Sequence, residues 1–137
     1  VLVGDGPDRE KLENLVRELK LENDIIFLGK KSNPYIWMKN SKAFILSSKY
    51  EGLPTVLIEA LILDVPSISS NCLTGPVEIL ENGKFGELFN IGNVKELEEK
   101  ILLILSKVEK IKTKEYIKEK FGSGFEVLRK ILENKEK

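Results

Sequence analysis

The stretch Tyr50-Glu51-Gly52-Leu53-Pro54-Thr55-Val56-Leu57-Ile58-Glu59-Ala60-Leu61-Ile62-Leu63-Asp64-Val65-Pro66 organises the rest of the chain. Before it, Ala43-Phe44-Ile45-Leu46-Ser47-Ser48 reads as a buried strand. Pro54 falls where the first residue of a helix tolerates proline, since that position has no N–H to satisfy. From Thr55 to Leu63 the residues are helix-forming and apolar except for Thr55 and Glu59, which share one stripe four residues apart. A helix apolar nearly all round is a buried helix. A carboxylate on it needs a polar partner, because breaking a buried charged pair costs about 3–5 kcal/mol. Glu59 is therefore expected to meet something polar.

Composition narrows the chemistry. The 137 residues hold 22 Lys plus Arg against 22 Asp plus Glu, so net charge points to no nucleic-acid partner. Histidine is absent, which excludes Ser-His-Asp catalysis and His-based metal sites. The single cysteine, Cys72, excludes an internal disulfide and a Cys-rich zinc site, and fits a reducing cytoplasm. No apolar run approaches the roughly 20 residues that span a bilayer, and no signal peptide is read. Val1-Leu2-Val3-Gly4 looks like the end of a strand without a turn before it, so a chain cut from a longer one is expected.

Working outward from residues 50–66, strand and helix patterns alternate, as in a parallel sheet covered by helices. Gly4-Asp5-Gly6-Pro7 is a tight turn, and Asp8 is placed to cap a helix to about Lys20 with Leu12, Leu15, Val16 and Leu19 inward. Ile25 to Leu28 is a strand closed by Gly29. A short helix after Pro34 supplies Tyr35, Ile36, Trp37 and Met38 to the core. Pro66 to Ser69 is a short strand, Gly75-Pro76 opens a helical turn, and Glu87 to Phe89 is a final strand. Val94 to about Lys107 is amphipathic, with Leu97, Ile101, Ile104 and Leu105 inward. Two more helical stretches, about 113–121 and 124–134, follow in a Lys- and Glu-rich tail.

Ligands of open α/β sheets bind outside the carboxyl ends of the strands. Those ends are Gly4 to Pro7, Gly29 to Asn33, Ser47 to Thr55 and Ser70 to Gly75. All four contain glycine, which serves a turn or lets a ligand approach the backbone. The third enters a helix whose first amides, at Gly52, Leu53, Thr55 and Val56, can receive an anion. Glu51 and Glu59 have the same spacing as Glu10 and Glu18 on an ordinary exposed face, so spacing alone does not single them out. Context does: Glu51 ends a loop, and Glu59 lies about 12 Å further along an apolar helix.

Glu51-Gly52-Leu53-Pro54-Thr55-Val56-Leu57-Ile58-Glu59-Ala60 resembles the E-x7-E motif of retaining glycosyltransferases, family four and its relatives. Val3-Gly4-Asp5-Gly6-Pro7-Asp8-Arg9, Ile26-Phe27-Leu28-Gly29, the strand 43–48, Thr74-Gly75-Pro76-Val77-Glu78-Ile79 and Asn82-Gly83-Lys84-Phe85-Gly86 recur there in the same order. The resemblance spans about residues 1–107 and is to the C-terminal, nucleotide-sugar-binding lobe of a GT-B enzyme. It implies a Rossmann-like parallel sheet with helices on both faces over residues 1–110, and a helical extension, 111–137, packing on the same lobe.

The resemblance also implies roles. Glu59 would accept the ribose hydroxyls, Glu51 would act at the donor sugar, and Gly52, Leu53, Pro54, Thr55 and Val56 would line the sugar and distal phosphate. Lys31 would pass the nucleobase, and Gly4 and Gly75 would serve as turn or close-approach glycines. The family transfers a sugar from a nucleotide sugar, such as a UDP- or GDP-sugar, with retention and generally without a metal, on the cytoplasmic side. Acceptors are saccharides or lipid-linked saccharides of surface polysaccharide or glycolipid assembly, with peripheral membrane association of the parent enzyme an option for the basic tail. The family's diphosphate-clamping Arg and Lys and its N-terminal lobe would precede Val1, so residues 1–137 alone are expected to be inactive. Asp64 stands where the family has glycine, at an expected local cost. Cys72 has nothing nearby in sequence to activate it and is expected to be structural. A nucleotide-sugar- or partner-binding module without catalysis, and a GT-B sugar-nucleotide epimerase, stay open as alternatives.

Overall fold

The computed structural model describes residues 1–72, 74–107, 112–122, 125–126 and 129–130. The chain divides into two compact units, Val1–Pro34 and Tyr35–Lys137.

In the first unit, β1 (Leu2–Val3) pairs in parallel with β2 (Phe27–Gly29), and α1 (Arg9–Glu18) connects them. The helix falls where the apolar periodicity puts it, with two corrections. Asp8 occupies the N-cap position but its side chain makes no capping bond. Leu12, Leu15 and Leu19 are exposed and only Val16 is buried. A two-stranded sheet is too narrow to cover the whole apolar stripe of a three-turn helix.

The second unit carries a three-stranded parallel sheet in the order β3 (Phe44–Leu46), β4 (Ser67–Ser70), β5 (Glu87–Phe89). Its helices are α2 (Tyr35–Lys39), α3 (Thr55–Ile62), α4 (Pro76–Ile79), α5 (Val94–Ser106) and α6 (Lys114–Phe121). Strand alternation sends side chains to two cores. Phe44, Leu46 and Leu88 pack with Leu57, Ile58, Leu61 and Ile62 of α3, Ile79 of α4 and Ile117 of α6. Ile68 and Phe89 face Leu97, Ile101 and Ile104 of α5. Helices thus lie on both faces of this sheet, the α/β arrangement expected. The central strand Ser67-Ile68-Ser69-Ser70 is buried throughout. Its hydroxyls are satisfied at short range: Ser67 donates to Val65 O at 2.9 Å and Ser69 to Ser70 O at 3.2 Å.

Other expectations shift by a turn or a face. Tyr35 and Met38 are buried, but Ile36 and Trp37 are exposed, because a helix of five residues offers one face to the core. Leu105 is exposed while Ile104 is buried, the rotation of one residue carrying it off the inner stripe. The 113–121 helix is present as α6, and most of the 124–134 stretch lies outside the described residues. Among the described residues no helix is long and apolar enough to cross a membrane.

Candidate functional site

The site is built at the carboxyl ends of β3 and β4, where two loops meet at the start of α3. The helix begins at Thr55. Pro54 is the N-cap, with φ −73° and ψ 91°, rather than the first helical residue. The ring holds φ near the helical value while ψ remains extended, so the helical turn starts one residue later. Pro54 O accepts from Leu57 N at 3.0 Å and Ile58 N at 3.4 Å. Among the described residues, none accepts a backbone hydrogen bond from the amides of Gly52, Leu53, Thr55 or Val56. Thr55 and Val56 are orphan donors of the first helical turn, at its positive end, and Gly52 and Leu53 lie in the loop just before it. Gly52, Leu53 and Thr55 are exposed and Val56 is half-buried.

The second loop braces the first. Thr74 Oγ1 donates to Glu51 O at 2.9 Å. Gly75 has φ +72°, and a Cβ there would stand 2.2 Å from Gly52 O and 2.8 Å from Pro54 Cδ. Its lack of a side chain is what lets the loops close on each other. Gly4, by contrast, has no protein atom within 4 Å of where a Cβ would stand. Below the loops, Ser48 O accepts from Ser70 Oγ at 2.5 Å and from Cys72 Sγ at 3.1 Å. Cys72 is 2% exposed.

Glu59 lies half-buried on α3 between buried Ile58 and Ala60. The polar partner its position requires includes Tyr35, whose hydroxyl donates to Glu59 Oε1 at 3.5 Å. Burial pushes the Tyr35 phenol up, and the Glu59 charge and hydrogen bond push it the same way. Glu51 is half-buried at the loop and held through its carbonyl by Thr74. The second unit therefore brings together Glu51 to Val56 with Glu59. Lys31 is exposed in the first unit, on the loop after β2.

Sequence reasoning missed Tyr35 and Thr74 as supports of this site and left Gly75 as one of several turn glycines. Tyr35 had one usable signal: an aromatic with a polar tip in a core needs a partner for its hydroxyl. A cavity of about 180 Å³ lies at the opposite, amino ends of the strands, lined by Lys42, Pro66, Gly86, Glu87 and Lys107 among others, and contains none of these residues.

Residues 1–120 match the family of glycosyl transferases group 1, and the chain belongs to it. An uncharacterized glycosyltransferase of Methanocaldococcus jannaschii is 46% identical over 80 residues, 58% of this chain and 20% of that protein. The lipopolysaccharide 1,6-galactosyltransferase of Salmonella typhimurium is 38% identical over 97 residues, 68% of this chain and 27% of that protein. Among solved structures, the apo lipopolysaccharide outer core galactosyltransferase WaaB superposes with a TM-score of 0.68 at 33% identity, over 76% of this chain and 30% of its own. TarM of S. aureus in complex with UDP superposes with a TM-score of 0.81 over 97% of this chain and 28% of its own, and Anabaena HepE in complex with UDP with 0.80 over 97% and 39%. At 24% and 23% identity, the latter two bear on the fold alone. The fold is that of part of a GT-B glycosyltransferase. The chain spans about a fifth to two fifths of the lengths of these relatives and neighbours.

Proposed function

We propose that this chain forms the donor-binding part of a retaining glycosyltransferase that takes a sugar from a nucleotide sugar for surface polysaccharide or glycolipid assembly. The observation that carries the reading is the pairing on one helix of open N-terminal amides with a half-buried carboxylate, Glu59, in an apolar surrounding. In this reading Glu59 accepts the ribose diol, whose neutral hydroxyls suit a carboxylate with several lone-pair sites. The amides from Gly52 to Val56 face the distal phosphate and the sugar, aided by the helix dipole. As the diphosphate leaves, negative charge grows on that phosphate, so donors fixed beforehand favour the transition state over the ground state. Glu51 orients the sugar hydroxyls, and Leu53 and Pro54 line the sugar. The reaction is expected to need no metal ion. Residues 1–137 by themselves are expected to bind donor without turnover, on the cytoplasmic side, with the acceptor engaged by parts of the enzyme beyond this lobe.

The UDP seen with TarM and HepE makes that nucleotide the first probe. Calorimetric titration of the chain with UDP and UDP-sugars, wild type against Glu59→Ala, tests the assignment. Binding lowered at least about tenfold by the substitution is expected, since a charge-assisted bond is worth about 1.5–3 kcal/mol. Equal affinity in both proteins sinks the role of Glu59.

A further inference from the structure

We infer that Tyr35 is a positioning residue for Glu59: its hydroxyl holds the Glu59 carboxylate in the orientation that accepts both hydroxyls of a ribose. The inference rests on the reading of Glu59 given above and adds to it the group that sets its geometry.

Glutamate is a poor recognition element by itself. Its side chain has three rotatable bonds, and fixing them costs entropy that binding must recover. Tyrosine has two, and those of Tyr35 are locked by the core. The residue is 8% exposed, and its ring belongs to the cluster built from Leu57, Ile58, Leu61 and Ile62. The hydroxyl of that fixed ring reaches Glu59 Oε1 across 24 positions of sequence. At 3.5 Å the contact is longer than the roughly 2.5–3.0 Å of a well-formed O–H···O bond, so it biases the orientation of the carboxylate rather than clamping it. One bond to Oε1 takes one of about four acceptor positions of a carboxylate. Tyr35 stays a donor: burial and the neighbouring Glu59 charge both resist loss of its proton. A phenylalanine would fill the same core, so the hydroxyl is the part of this residue that packing does not require.

Tyr35→Phe keeps the ring and removes the donor. The full chain is titrated with UDP and with its 2′-deoxy counterpart, as wild type, Tyr35→Phe, Glu59→Gln and Glu59→Asp, with thermal unfolding measured alongside. Wild type is expected to prefer the ribose form about tenfold, Tyr35→Phe to retain only about two- to threefold of that preference, and Glu59→Gln to abolish it. Glu59→Asp, which withdraws the carboxylate by one methylene and leaves Tyr35 in the core, is expected to behave like Tyr35→Phe. A structural role for Tyr35 would weaken both ligands equally and leave the ratio intact. That result, with the ratio lost in Glu59→Gln, overturns the positioning role and spares the ribose reading. A ratio intact in Glu59→Gln, or no binding of UDP by wild type at about 10 mM, overturns both.

Discussion

The Asp64 carboxylate accepts hydrogen bonds from the Thr113 amide at 2.8 Å and the Lys114 amide at 3.0 Å, so the residue that ends α3 also caps the start of α6. Its backbone is left-handed, φ 52°, and completes the end of α3: Val65 N reaches Ala60 O at 3.0 Å and Asp64 N reaches Leu61 O at 3.1 Å. Glycine is the usual residue in that position of such a helix end. The local cost expected of Asp64 is thus offset by a bond made 49 positions away. Thr113 Oγ1 also donates to Leu61 O at 2.6 Å, which ties the two helices twice.

Asp64→Ala should therefore lose both the cap and the tolerance for a left-handed backbone. The cap is worth about 1–2 kcal/mol, and an alanine in this conformation adds about 1–2 kcal/mol more. Asp64→Gly should lose only the cap. Urea unfolding is expected to rank wild type above Asp64→Gly and Asp64→Ala lowest; a glycine variant as stable as wild type would show that the cap contributes nothing.

Gly75→Ala should distort the site itself. The added methyl would overlap Gly52 O, a backbone atom that can move only by shifting the loop after β3. Gly92 supplies the control: its φ is +79° and nothing lies within 4 Å of a Cβ there. Gly92→Ala is expected to cost about 1 kcal/mol from backbone strain alone. Gly75→Ala is expected to cost more than that and to abolish UDP binding. Equal unfolding midpoints for the two variants, with UDP binding retained, would remove Gly75 from the support of the site.

How far the molecule is readable in its residues depends on the range of the interaction. The α/β alternation is local, and β5, α3 and α6 sit within a residue or two of where periodicity and turn residues put them. The apolar wheel of α3 foretells burial of Leu57, Ile58, Ala60, Leu61 and Ile62, because no orientation exposes them all. Trp37 and Leu12 were misplaced because apolar character says that a residue favours burial, not that a partner surface exists for it. The contacts that shape the site are long-range: Tyr35 with Glu59, Thr74 with Glu51, Gly75 with Gly52. Each joins residues on different elements, and nothing in spacing encodes which elements meet. The need for a partner at Glu59 was legible; the tyrosine was not.

Cys72 should be inert while the protein is folded. Its sulfur is buried and donates to Ser48 O at 3.1 Å, beside the Ser70 hydroxyl at 3.5 Å. Reaction with an aromatic disulfide reagent is expected to proceed only through opening of the sheet end, and so to accelerate with urea well below the unfolding midpoint. Labelling complete within the mixing time in buffer would contradict the burial. Cys72→Ser should be tolerated, whereas Ser70→Ala should cost about 1 kcal/mol, the net worth of one buried hydrogen bond.

Glu87 gives the fold an acid-sensitive contact. Burial alone pushes its carboxyl up, but hydrogen bonds and charge from Lys107 and Lys100 outweigh it and hold the group below the usual carboxylate range. Lys107 Nζ lies 2.8 Å from Oε1 and Lys100 Nζ 3.1 Å from Oε2, so the middle of α5 and the residue just past its end are both pinned to β5. A carboxyl whose folded pKa is depressed binds fewer protons folded than unfolded. Its contribution is complete above the unfolded value, about 4.3, and is lost as pH falls through the lower folded one. Wild type is expected to lose stability to urea between about pH 5 and pH 3, and Glu87→Gln to show a shallower loss there, with lower stability at pH 7. Both lysines are partly exposed, so the difference at pH 7 should be modest and should shrink in 1 M salt. An acid limb of identical slope in the two proteins would show that the lysines do not hold Glu87 in its charged form.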